Sequence, residues 1–364
     1  MREVRPESLA GGGPGMVQLV LLLLAIILGP SLSGWANPAE SAVSSAPASL
    51  LTQETAVEPR FFIAEGLNND GSLLKNYKRG LSYAIDYFGN YGPYCVYLLG
   101  PASEASVRAI YRKRAQLRAD PDSETPVEEQ IERFLNEKNI IAEIEFVLAG
   151  KSHGGLTWSD PKRRLYEDVT TNAGDREMDP LENTWGALHE YHHVFQVSQV
   201  DSYADRDSER NFSSWMAEGA ATYSSAKFMG NLKLVDFPGY MLQLRTNGGN
   251  IGRPGINDYL GEKGAYRLDD ETLWGKDGSA QVYYMLGAWA TAYLIHERGI
   301  DEKTVLKDWY FDILPLGKSA AFKKHMKLSL EEFYHGFDAF IRQSDEEVMR
   351  IFGAKDRKEV RLPR

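Results

Sequence analysis

The sequence predicts an α+β fold, with a small sheet early in the folded part and a mainly helical C-terminal part. Three observations carry this. Short runs rich in aromatic and β-branched residues stand at 60–64, 94–99 and 164–171. From residue 180 onward apolar residues recur instead at helical spacing. The chain is 364 residues long and 43% hydrophobic, with 7 Trp, 19 Tyr and 15 Phe, enough to build a substantial core.

In chain order, residues 1–36 read as a signal peptide or N-terminal anchor. The apolar run from Met16 to Gly29 has the length of a signal h-region and is short for a bilayer span. A cleavage point after a small residue fits Trp35-Ala36-Asn37. Arg2 and Arg5 are offset by Glu3 and Glu7, so the usual positive flank is missing. A cleaved secretory signal is the favoured reading, ahead of an uncleaved anchor or a buried segment. The expected location is therefore exported, periplasmic or extracellular, with membrane association through residues 16–29 if the segment is retained. Residues 37–58 are rich in Ala, Ser, Pro and Glu and read as a flexible linker.

Residues 59–160 form an N-terminal α/β portion. It opens with a strand at Arg60–Ala64, followed by a helix from Leu73 to Phe88. Tyr94–Leu99 is a second strand, closed by Gly100-Pro101. A polar, Arg-rich helix follows from Ser103 to Arg118. Pro126–Leu148 reads as one long helix whose early glutamates suit the helix dipole. Gly150–Gly155 is a loop that lacks phosphate-loop spacing, with His153 on its surface.

Residues 161–345 hold the rest of the folded unit. Arg164–Thr171 is expected as a strand at the sheet edge, where an extended peptide can add as a further strand. Helices are expected from Pro180, at Phe212–Met229 and at Ala280–Glu297, with shorter ones at Val305–Tyr310, Ser319–Met326 and Leu330–Arg342. Tyr240–Leu260 is Gly- and Asn-rich, and 346–364 is a charged tail.

The formal net charge is −10, and no Lys/Arg cluster is interleaved with aromatics, which argues against a nucleic-acid partner. The single cysteine, Cys95, sits in an apolar run and reads as a buried, inert thiol.

The residues that carry chemistry cluster in His189-Glu190-Tyr191-His192-His193. Asp179-Pro180 is a suitable helix opening. On that helix His189 and His193, four apart, point the same way and can share one metal ion. Glu190 is displaced around the helix yet close enough to reach a metal-activated water. His192 reads as a hydrogen-bonded or exposed neighbour. A catalytic zinc site usually takes a third protein ligand. Glu218, twenty-five residues beyond His193, is the candidate. It stands among Trp215, Met216, Ala217, Ala220 and Ala221, where a carboxylate without a partner is costly. Gly219 is expected to let its helix approach the histidine helix closely.

H-E-x-x-H paired with Trp215-Met216-Ala217-Glu218-Gly219-Ala220-Ala221-Thr222-Tyr223 resembles the gluzincin group of zinc metallopeptidases, which includes thermolysin and a branch of aminopeptidases. Members carry W-x-x-E-G-x-A-x-Y on a following helix. The resemblance covers roughly residues 165–300 and implies a zincin-like metallopeptidase domain. It also implies Zn2+ held by His189, His193 and Glu218, with Glu190 as the base and a peptide or protein as substrate. The sequence departs from the group in two ways. It has no G-x-M-E-N motif for a free amino end, and Thr222 stands where thermolysin-like members orient a zinc histidine with Asp. Asp179, Glu182 or a backbone carbonyl is then expected to do that orienting. Tyr283, Tyr284 and His296 are candidates for stabilising the oxyanion, because the group supplies that residue from a later helix. The expected function is exported zinc-dependent peptide hydrolysis. Its alternatives are a zinc amidase acting on cell-wall or other non-protein amides, and a metal-containing binding protein without turnover.

Overall fold

The computed structural model describes residues 57–353, apart from 66, 68–70, 101, 152–153, 161–164, 172–179, 201–207, 247–254, 258–259, 261–267 and 270–279. The apolar segment 16–29, its cleavage region, most of the linker, His153, Asp179 and the tail after 353 lie outside the described residues. No helix among the described residues is long and apolar enough to cross a membrane.

Four strands form one sheet in the order β1-β2-β4-β3: β1 Arg60–Ile63, β2 Tyr94–Leu99, β4 Leu165–Thr171 and β3 Leu156–Asp160. β1, β2 and β4 run parallel, and β3 pairs antiparallel with β4. The β3–β4 pair straddles residues 160 and 161, so one sheet draws strands from both portions of the folded chain.

Strand alternation divides two cores. Tyr94, Val96 and Leu98 of β2 join the main core, while Cys95, Tyr97 and Leu99 face a second, smaller one. Helix α1 (Ser72–Phe88) and helix α5 (Pro180–Val197) belong to the first face. Helices α2 (Glu104–Arg118), α3 (Val127–Leu135) and α4 (Lys138–Leu148) cover the second. With both faces covered, β2 and β4 are buried along their whole length. Cys95 is fully buried, and burial pushes its thiol up to about 11.

The helix expected over 126–148 is two helices. Asn136 ends α3, its side-chain amide donating to the Glu132 carbonyl, and Glu137 is extended at φ −65°, ψ 135° before α4 begins. The strand expected at the sheet edge is interior: β4 lies between β2 and β3. Among the described residues the edge strands are β1 and β3, the latter a short mixed run with no strong alternation to announce it. The residue before Asp168 faces the other side of the sheet, as strand alternation requires. Glu167 points to the second face, where Arg114 and Arg118 of α2 hold it at 3.0 and 2.6 Å.

α1 and α5 pack closely because Gly80 lies directly over the Thr184 carbonyl; an added Cβ would sit 2.3 Å from that oxygen. The remaining helices enclose α5 from its other side. A π-helical turn, Trp215–Gly219, leads into α6 (Ala220–Asn231), and α7 spans Phe237–Thr246. Helix α8 (Ala280–Ala292) ends in a second π-helical turn, Tyr293–Glu297. Short helices over 302–352 complete the fold. One of them, Leu330–Ile341, begins with a full capping box between Ser329 and Glu332.

Candidate metal centre

The centre is assembled from two segments. Helix α5 supplies His189 and His193, and the π-helical turn supplies Glu218. A π-helical turn inserts one residue into helical winding. Here five consecutive residues, Trp215 to Gly219, are buried, and the Glu218 carboxylate is directed at the two imidazoles.

Glu218 Oε2 lies 3.0 Å from His193 Nε2 and 3.3 Å from His189 Nε2, and the two Nε2 atoms are 3.1 Å apart. A tetrahedral ion with bonds of about 2.0–2.1 Å holds its ligands about 3.3 Å from one another. The donor triangle is therefore the right size, and its two nitrogens and one oxygen are the ligand types zinc accepts. All three residues are buried.

The three groups compensate one another electrically. Burial lowers His189 to about 4, which keeps its ring neutral with a lone pair free. Burial also opposes charge on His193, yet the adjoining Glu218 carboxylate overcomes this and lifts the ring to about 9. Burial would raise Glu218, but the two histidines hold it well below the usual carboxylate range. A proton on His193 thus balances Glu218 in the place where a cation would balance it.

Each histidine is oriented differently. The Trp185 indole stacks on His189 at 4.5 Å, and the Tyr284 ring lies nearly parallel to it at 5.9 Å. The Nδ1 of His189 makes no well-formed hydrogen bond, but the Ala221 backbone in α6 interacts with the ring, and the stacked rings pack on its faces. His193 Nδ1 instead donates to Gln196 Oε1 at 2.8 Å. Gln196, three residues along the same helix, fills that place at His193, while Asp179 lies outside the described residues. Proximity on α5 was its only sequence signal.

Glu190 is 8% exposed, and its Oε2 accepts the backbone N–H of Leu156 in β3 at 2.7 Å. Burial pushes its carboxyl up to about 8, with His193 drawing it down and Asp168 and Glu218 driving it up. A cation among the three ligands would favour its ionised form. Behind it lies Asp168, opposite Leu156 in the β3–β4 register. Asp168 is fully buried and accepts the hydroxyls of Tyr77, Tyr94 and Thr170. Nothing in the sequence singled it out, because β4 had been expected at an edge.

His192 is directed away from the three-residue cluster, with its Nδ1 meeting Ser224 Oγ at 2.7 Å and its ring packing on Phe88 at 4.4 Å. Of the three oxyanion candidates, Tyr284 adjoins His189. Tyr283 is buried in the main core. His296 pairs with Tyr223 at 2.8 Å, about 18 Å along the helical path from Tyr284, and lies away from the ligands.

Gly219 serves a different contact from the one expected. It abuts Gly287 of α8, not the histidine helix; a Cβ on Gly219 would sit 2.2 Å from the Gly287 backbone.

No family model, curated protein or solved structure matches the chain.

Proposed function

We propose that the protein is a zinc-dependent hydrolase of peptide bonds, with His189, His193 and Glu218 as the metal ligands and Glu190 as the general base. The convergence of three ligand atoms within 3.3 Å, beside a carboxylate held by the sheet edge, carries this reading. Bound zinc would polarise a substrate carbonyl and acidify water.

The chain's own residues do the rest. Glu190 takes a proton from the attacking water and later delivers it to the leaving amine. The Leu156 N–H holds one Glu190 oxygen, leaving the other for that transfer. Tyr284, beside His189, is the better placed of the two tyrosines to donate to the developing oxyanion. A peptide substrate is favoured over another amide because β3, an edge strand among the described residues, starts at the residue that holds the base. An extended chain can pair there as an added strand. The absence of a G-x-M-E-N motif favours cleavage within a chain over removal of its first residue.

The test joins metal analysis to turnover. The purified protein should contain about one zinc per chain. It should cleave a quenched library of end-blocked peptides and lose activity to a chelator. Glu190→Gln should keep the zinc and lose activity by about 10²–10⁴-fold. Undiminished turnover in that variant would refute the mechanism.

A further inference from the structure

Residues beyond 300 supply none of the three ligands, yet one of them reaches the centre. Tyr310 lies in the turn Asp308–Asp312 and is 1% exposed. Its hydroxyl donates to the Met216 carbonyl at 2.9 Å and accepts from Gln196 Nε2 at 3.0 Å. The same Gln196 amide donates to the carbonyls of Ala217 at 3.1 Å and Met216 at 3.3 Å. Its NH2 end thus faces three oxygens, which fixes the amide's orientation. Oε1 must then face His193, and an acceptor at Nδ1 places the ring's proton there and its lone pair at Nε2.

We infer that Tyr310 is a positioning residue of the metal centre: with Gln196 it clamps the helix bearing His193 to the π-helical turn bearing Glu218. Met216 and Ala217 immediately precede Glu218, so the clamp joins the two segments whose ligands must meet. Without it, helix α5 and the turn are free to separate at the one place where 3.0 Å matters. The C-terminal helices are then part of the metal site. This rests on the zinc reading above.

Tyr310→Phe keeps the ring and removes only the hydroxyl. Zinc affinity is measured by competition with a fluorescent chelator on the full chain. Gln196→Ala should weaken binding about 10–100-fold, the range for losing a group that orients a ligand. Tyr310→Phe, acting one bond further out, should weaken it about 3–10-fold and speed solvent exchange of the His193 Nδ1–H proton in the zinc-loaded protein. Phe337→Leu, a core lesion among the C-terminal aromatic rings, should lower the melting temperature and leave zinc affinity unchanged. Unchanged affinity in Tyr310→Phe, or equal weakening in Phe337→Leu, overturns the inference while leaving the zinc reading intact. A wild-type protein that binds no zinc overturns both.

Discussion

Gly219→Ala tests whether helix packing sets the ligand geometry. The added Cβ would lie 2.2 Å from the Gly287 carbonyl carbon and 2.3 Å from its Cα. Ordinary carbon contacts begin near 3.5 Å, so the turn and α8 must part by about 1 Å. Both are backbone, and no side chain can swing away to absorb the change. Overpacking of this kind costs about 1–3 kcal/mol, and the better helix propensity of Ala returns about 1 kcal/mol. Net destabilisation of about 2 kcal/mol follows at the upper end. The functional effect is larger in proportion, because Glu218 is the adjoining residue. A 1 Å displacement would stretch its 3.0 Å approach to His193 past the span of a tetrahedral ion. The expected phenotype is a modest fall in the urea midpoint with at least a tenfold loss of zinc affinity. Gly287→Ala presses on the same seam, with Cβ 2.6 Å from the Trp215 carbonyl, so the double variant should cost less than the two singles together. Wild-type zinc affinity in Gly219→Ala would refute the link between this seam and the ligand geometry.

Two further outcomes are expected. Tyr284→Phe should lower kcat by about 10²–10³-fold with zinc content unchanged; a normal kcat would remove Tyr284 as the oxyanion donor. Asp168 should give a pH signature in the metal-free protein. Burial raises its carboxyl from the ordinary 3.8 to about 6, so the folded state holds the proton more tightly than the unfolded one. The corresponding stability is present below about pH 4 and is lost as pH rises through 6. Its size is about 3 kcal/mol. The difference in unfolding free energy between wild type and Asp168→Asn should therefore shift by about 2 kcal/mol of this between pH 4 and 7, wild type losing. Urea unfolding at the two pH values measures it, and a flat difference would contradict it.

Local pattern determined the parts of this protein whose physics is local. Helical periodicity marks α1, and the Asn136 break falls inside a segment of otherwise continuous helical spacing, which is why that break is not legible. His189 and His193 are legible as a pair because four residues is one helical turn. Glu218 stood out because a carboxylate among apolar neighbours needs a partner wherever the chain leads. The long-range facts depend on which segments meet. Tertiary structure decided that β3, not β4, is the edge beside Glu190, since strand order is set by pairing and not by composition. It decided that Gly219 meets Gly287, that Tyr284 and not His296 adjoins the ligands, and that Gln196 and Tyr310 hold His193. A glutamine on a helix and a tyrosine 114 residues away have no pattern in common. Their hydrogen bond exists because two segments distant in sequence are pressed together around one buried centre, where a polar group must find a partner or pay the cost of desolvation.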